Sequence, residues 1–139
     1  AVLRGASGGP AHVLRLAGPL DGRAAHDVLV WTELLDGRTV VSSDLATLVR
    51  PKHLDLQDPG LEWSAEAGDD GTFTVELTAA RPALWAWLEL DGEDARFEDN
   101  FLCLRPNRKV RVAVAPARRL TPAQFRKKLK VRSLIDTYR

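Results

Sequence analysis

Ala83-Leu84-Trp85-Ala86-Trp87-Leu88-Glu89-Leu90, followed by Arg96-Phe97-Glu98-Asp99-Asn100-Phe101-Leu102-Cys103-Leu104-Arg105-Pro106, reads as two paired strands. Side chains of a strand alternate between faces. That puts Leu84, Ala86, Leu88 and Leu90 on one side of the first strand and Ala83, Trp85, Trp87 and Glu89 on the other. Both faces are largely apolar. Such a strand lies between two covering layers, or has one face in a core and offers the other to a partner or ligand.

The flanking sequence extends this pattern. Asp-Gly pairs at 21–22, 36–37, 70–71 and 91–92 separate strand-like runs, and Asp and Gly tolerate the positive φ of tight hairpin turns. Asp27 to Leu35 alternates and meets Arg38 to Ser42 across Asp36-Gly37, which predicts a hairpin. Ala46 to Leu48 and Lys52 to Leu56 flank Pro51, where the chain is expected to leave one sheet and enter another. Leu61 to Ala65 is a further predicted strand. Phe73 to Ala79 alternates most cleanly, with Phe73, Val75, Leu77 and Ala79 inward; a slip of one residue would bury Glu76. Lys109 to Ala115 repeats the pattern, with Val110, Val112 and Val114 inward. Trp31 and Trp63 are single aromatics in predicted strands and read as core. Thr121-Pro122-Ala123-Gln124 supplies a capping box and Pro at the first helical position, predicting a short helix that ends near Lys128, then a last strand over Leu129 to Leu134. Gly5, Ser7, Gly8, Gly9 and Pro10 make residues 1–10 a flexible lead-in, with a short strand expected over His12 to Ala17. The sum is an all-β antiparallel chain with one short helix near its C-terminus.

A chain of 139 residues is long enough to bury a real core. Its 45% hydrophobic and 28% charged content is that of a soluble globular protein, and no apolar run approaches the length of a membrane span. Ala1 to Ala11 lacks the charged start and apolar core of a signal peptide. With no Met, the sequence shows no translation start and reads as a piece of something longer. The compartment stays open. Cys103, the single cysteine, cannot close an intrachain disulfide and suits a small buried hydrophobe. From Pro116 to Arg139 there are eight basic residues against the one acid Asp136, so the rest of the chain is net acidic. That asymmetry can mark a nucleic-acid footprint. Only Phe125 and Tyr138 interleave the basic run, which favours a solvated basic face beside an acidic neighbouring surface and no nucleic acid.

The strand, the acidic turn, Phe97-Glu98-Asp99-Asn100-Phe101, the second strand and Leu104-Arg105-Pro106 resemble the C-terminal end of the β-mannosidases among the family 2 glycoside hydrolases. Arg50-Pro51-Lys52-His53-Leu54-Asp55-Leu56 resembles the Pro-Pro-Lys-x-Leu-x-Leu entry to their terminal immunoglobulin-like domain, and Leu129 to Tyr138 resembles their last strand. Together these cover residues 28–139. Asn107 stands where those sequences commonly carry Gly, and Glu98 where they commonly carry Ser. The resemblance implies an immunoglobulin-like antiparallel β-sandwich, with residues 11–50 as the closing strands of the penultimate sandwich domain and 51–139 as the complete terminal domain. It also implies a non-catalytic accessory role beside the catalytic barrel of a parent enzyme that removes terminal non-reducing β-linked mannose. Strands 11–50, parted from their own domain, are expected to drive self-association.

A glycosidase needs one protonated and one ionised carboxyl facing across a sugar. Glu89, Asp91, Glu93, Asp94, Glu98 and Asp99 cluster in sequence, but at strand ends and in a turn, where acids are solvated; none is assigned as catalytic. Asp99 and Asn100 read as turn-stabilising residues that bond to backbone. Trp85 and Trp87, about 7 Å apart along one strand face, could stack on successive sugar rings with Glu89 accepting a hydroxyl hydrogen bond. That defines the alternative, a stand-alone module binding mannose-containing carbohydrate. The competing reading, one indole in the core and the other at an interdomain contact, is the stronger for a central sandwich strand. His12, His26 and His53 are scattered, without partners at ligand spacing, so no metal is expected. No phosphate loop or nucleophile elbow is present, and no cofactor is implied.

Overall fold

A computed structural model describes residues 22–138. The expected lead-in, the strand at His12 to Ala17, and His12 itself lie outside the described residues. The chain divides between Asp55 and Leu56 into two compact units.

The first unit holds a two-stranded antiparallel hairpin, β1 (Leu29–Asp36) and β2 (Thr39–Thr47). Asp36 pairs with Thr39, so the two loop residues are Gly37 and Arg38, one position later than the Asp36-Gly37 turn predicted. Gly37 takes the positive φ of 58° that the turn requires. The register slips between Leu34 and Leu35, a bulge that the alternation hides. Trp31 is half-buried, whereas Leu34, Leu35, Val40 and Val41 are exposed. Pro51–His53 forms one 3-10 turn in place of the strand expected after Pro51. Proline fixes φ and lacks the N–H that a strand would donate.

The second unit is a sandwich. One sheet has the order β3-β4-β8-β6, from Leu61–Ala67, Phe73–Ala79, Val110–Pro116 and Ala95–Phe97; the other has the order β7-β5-β9, from Leu102–Leu104, Ala83–Leu90 and Leu129–Arg132. All pairings are antiparallel. Between the sheets, β4 contributes Phe73, Val75, Leu77 and Ala79, β8 contributes Val112 and Val114, and β5 contributes Ala83, Ala86, Leu88 and Leu90. Glu76, outward on β4, pairs with Lys109 at 2.6 Å and Arg111 at 3.0 Å. Helix α1 (Pro122–Lys128) is capped as predicted: Thr121 Oγ1 accepts from the Gln124 amide at 3.2 Å, and Gln124 Oε1 accepts from the Thr121 amide at 2.9 Å. It closes the end of the core by inserting Phe125, fully buried and stacked on Phe73 with ring centroids 3.8 Å apart.

Four expectations are corrected. The stretch after β5 is not one strand, because β6 pairs with β8 in the far sheet and only β7 pairs with β5. The last strand stops at Arg132, and a 3-10 turn over Leu134–Thr137 follows, with the Asp136 carboxylate accepting from the Ser133 amide at 2.8 Å. Trp63 lies opposite buried Leu77 but remains 37% exposed, since β3 is an edge strand. Cys103 is half-buried rather than buried, because it lies on the face of β7 opposite the fully buried Leu104.

Candidate functional site

The two faces assigned to β5 by alternation hold only from Ala86 onward. Ala83 pairs with Leu104 and Ala86 with Leu102, so three steps on β5 oppose two on β7: a β-bulge. Trp85 sits in it at φ 49°, in the left-handed region, and is 44% exposed. Because the bulge inserts one residue, Ala83 joins Ala86, Leu88 and Leu90 in the core cluster, while Leu84, expected among them, is buried outside it. The bulge therefore takes Trp85 off the two-residue repeat that would have aligned it with Trp87. A bulky residue at such a φ costs about 1–2 kcal/mol. We expect Trp85→Ala to be less stable than Trp85→Gly by about 1 kcal/mol, since only glycine accepts this backbone freely; equal urea midpoints would refute the strain.

The turn Phe97 to Phe101 is a corner where the chain changes sheets, and side chains staple it on both sides. Glu98 donates its amide to the Ala113 carbonyl at 2.9 Å and accepts the Ala113 amide on its carboxylate at 3.1 Å, bonding the corner to β8. Asn100 bonds it to β5. Its Oδ1 accepts from the Leu88 amide at 2.8 Å and its Nδ2 donates to the Leu88 carbonyl at 3.0 Å, so one side chain stands in for a strand residue. Asp99 accepts from the Asn100 amide at 2.8 Å, and Asn100 Oδ1 also accepts from the Phe101 amide at 3.1 Å. Phe101 emerges at φ 59°, 65% exposed, with its ring 6.3 Å from Trp87 at an interplanar angle of 25°. Sequence reasoning placed Phe101 in a strand and did not select it. Asn107, where the resembled sequences carry Gly, also takes positive φ, 58°, which accounts for that preference.

Three acids of the cluster, Glu89, Asp91 and Glu93, have partners in the basic C-terminal run. Glu89 pairs with Arg132 at 3.3 Å and Asp91 with Lys130 at 2.9 Å, across the β5–β9 ladder. Glu93 is gripped by Arg118 and pairs with Lys128 at 3.0 Å, its side chain only 8% exposed. The charge asymmetry of the sequence is thus folded onto itself. Hydrogen bonds from Arg118, then Lys128, hold the Glu93 carboxyl down at about 2. Lys130 lowers Asp91, Lys109 lowers Glu76, and the Thr72 hydroxyl lowers Asp70. A general acid needs the opposite shift, upward. Among the described residues no group of three or more His, Cys, Asp or Glu could hold a metal, and no helix is long and apolar enough to cross a membrane.

The depressed Glu93 makes a pH prediction. Its folded pKa lies below its ordinary 4.5, so the stability it contributes is present above 4.5 and lost as pH falls towards about 2. Between those values the unfolded chain binds more protons. Glu93→Gln is expected to flatten the acid limb of a stability–pH curve, leaving the parts due to Glu76 and Asp91; an unchanged limb would count against the Arg118–Glu93–Lys128 latch.

Residues 56–137 match the mannosidase Ig-fold domain family. The crystal structure of a β-D-mannosidase from Dictyoglomus thermophilum is similar in fold, with a TM-score of 0.70 at 19% identity over 83% of this chain. The match spans only 14% of that protein's own length. Among the curated proteins none matches.

Proposed function

The chain belongs to the mannosidase Ig-fold domain family, and from that premise we propose that it is the non-catalytic C-terminal accessory portion of a longer β-mannosidase-like glycoside hydrolase. The family match over 56–137 carries the reading. The downward shifts of Asp70, Glu76, Asp91 and Glu93 support it, since they leave these carboxylates ionised and unable to protonate a leaving group. The parent would hydrolyse terminal β-D-mannose through carboxyls in its barrel, and this domain would buttress that barrel. A stand-alone carbohydrate-binding module is not favoured, because the bulge at Trp85 breaks the regular platform that two aligned indoles would form.

Residues 11–50 are proposed to close a preceding sandwich, with 51–139 as the terminal domain. The division at Asp55/Leu56 and the exposed Leu34, Leu35, Val40 and Val41 of the hairpin support this, since an isolated two-stranded sheet is marginal without further strands. Parted from those strands, the 139-residue chain is expected to self-associate through the hairpin; sedimentation showing a strict monomer at high concentration would contradict it.

The test of function is truncation. Removing residues from Leu56 onward from the longer polypeptide is expected to lower its yield and Tm, with kcat on an aryl β-mannoside retained in the folded fraction. An intact Tm would remove the buttressing role.

A further inference from the structure

The Ala65 carbonyl points off the open edge of the four-stranded sheet, and the Arg126 guanidinium covers it. We propose that Arg126 is an edge guard: by holding that acceptor it keeps β3 from pairing with the β3 strand of a second copy of the chain. The guard lies in the sandwich unit, away from the hairpin in sequence, and its role does not depend on the enzymatic reading.

β3 is flanked by β4 on one side and by no strand on the other. The turn leading out of it shows which of its backbone groups face outward. The Gly68 amide donates to the Thr72 carbonyl at 2.8 Å, continuing the register that pairs Ala67 with Phe73. In an antiparallel ladder, residue pairs that exchange hydrogen bonds alternate with pairs that do not. Glu62, Ser64 and Glu66 therefore bond to β4, while Leu61, Trp63, Ala65 and Ala67 turn their N–H and C=O groups to the open side. Ala65 agrees with this parity, since its carbonyl accepts from outside the sheet, from Arg126 Nη2 at 3.1 Å.

An outward row of this kind is a template for another strand. This one is compatible with itself. Laid antiparallel across a two-fold axis at Trp63, Leu61 faces Ala65 and Glu62 faces Ser64, so no like charges stand directly opposite. The Leu61 amide of the second copy would then need the Ala65 carbonyl, the acceptor that Arg126 holds. A charged side chain lying across an edge must be displaced, or buried under the incoming strand, before pairing can start. The guard is held from behind. Its neighbour Phe125 is fully buried against Phe73, and the capping box of Thr121 and Gln124 fixes the first turn of α1. The basic end of the helix thus divides its work, with Lys128 paired to Glu93 and Arg126 turned to the edge.

Arg126→Ala in the 139-residue chain tests this, read by amide hydrogen exchange at Leu61 and Trp63 over a range of protein concentrations. In the unaltered chain these rates are expected not to change with concentration. In Arg126→Ala they are expected to slow several-fold as concentration rises, because the second copy now bonds the outward row. Adding Trp63→Pro, which removes an outward N–H and no bond to β4, is expected to abolish that protection. Arg126→Met keeps an apolar stem on the helix and removes only the donors, so it is expected to behave as Arg126→Ala does even if the alanine variant loosens α1. Rates independent of concentration in both Arg126 variants overturn the proposal. So does protection that survives Trp63→Pro, or that is already present in the unaltered chain.

Discussion

Phe125→Ala is expected to destabilise the sandwich unit by about 3–5 kcal/mol, a fall in Tm of at least about 12 °C for a unit of this size. Phe125 is the one buried residue of α1, and its ring stacks on Phe73 at 3.8 Å, where β3, β4 and the helix meet. Truncation removes the ring's transfer free energy and leaves a cavity that two sheets, tied by antiparallel ladders, cannot close. The helix is otherwise held by its capping box and by Arg126 donating to the Ala65 carbonyl at 3.1 Å, and hydrogen bonds of this kind contribute only about 1 kcal/mol each. Urea unfolding followed by circular dichroism measures the loss. A change below about 1 kcal/mol would mean that the helix is not part of the core.

Asn100→Ala is the second large effect, about 2–4 kcal/mol. It strips the Leu88 amide and carbonyl of their partners on a residue only 2% exposed, and each orphaned backbone group costs about 1–3 kcal/mol. Asn100→Asp is not a rescue. It keeps the acceptor for Leu88 and Phe101 but loses the donor, and turns a carboxylate oxygen towards the Leu88 carbonyl. Both variants are expected to free Phe101, so the ring contact with Trp87 should vanish from NMR spectra. A loss below about 0.5 kcal/mol in Asn100→Ala would place the Leu88 groups in solvent and reduce Asn100 to an ordinary turn residue.

Much of this fold is legible in the sequence, for reasons that can be named. Phe73 to Ala79 has one apolar and one polar face, so period two admits a single register, and the buried residues are the ones the pattern selects. Thr121-Pro122-Ala123-Gln124 spells its own cap. The stretch from Ala83 to Leu90 was legible as a strand but not in its facing, because an apolar residue stands on both sides and either Ala83 or Leu84 could face the core. A bulge leaves no mark in such a pattern. Trp85 and Trp87 could be selected as aromatics, but the left-handed φ of Trp85 comes from the bulge against β7, and the contact of Trp87 with Phe101 depends on where Asn100 finds a strand to bond. That partner, Leu88, lies twelve residues upstream in a neighbouring strand. Likewise the basic C-terminal run did not show that Glu89 and Asp91 would meet it at the β5–β9 pairing, or Glu93 at Arg118 and at Lys128 on α1, since these contacts are long-range outcomes.

The central claim is that these residues lend support to a catalyst and perform no hydrolysis themselves. The most direct measurement is release of the aryl group from an aryl β-mannoside by the purified 139-residue chain, run beside the longer polypeptide. The account predicts turnover by the longer polypeptide and none above buffer by the chain. Turnover by the chain, abolished when one of its own carboxylates is replaced by the amide, would contradict it.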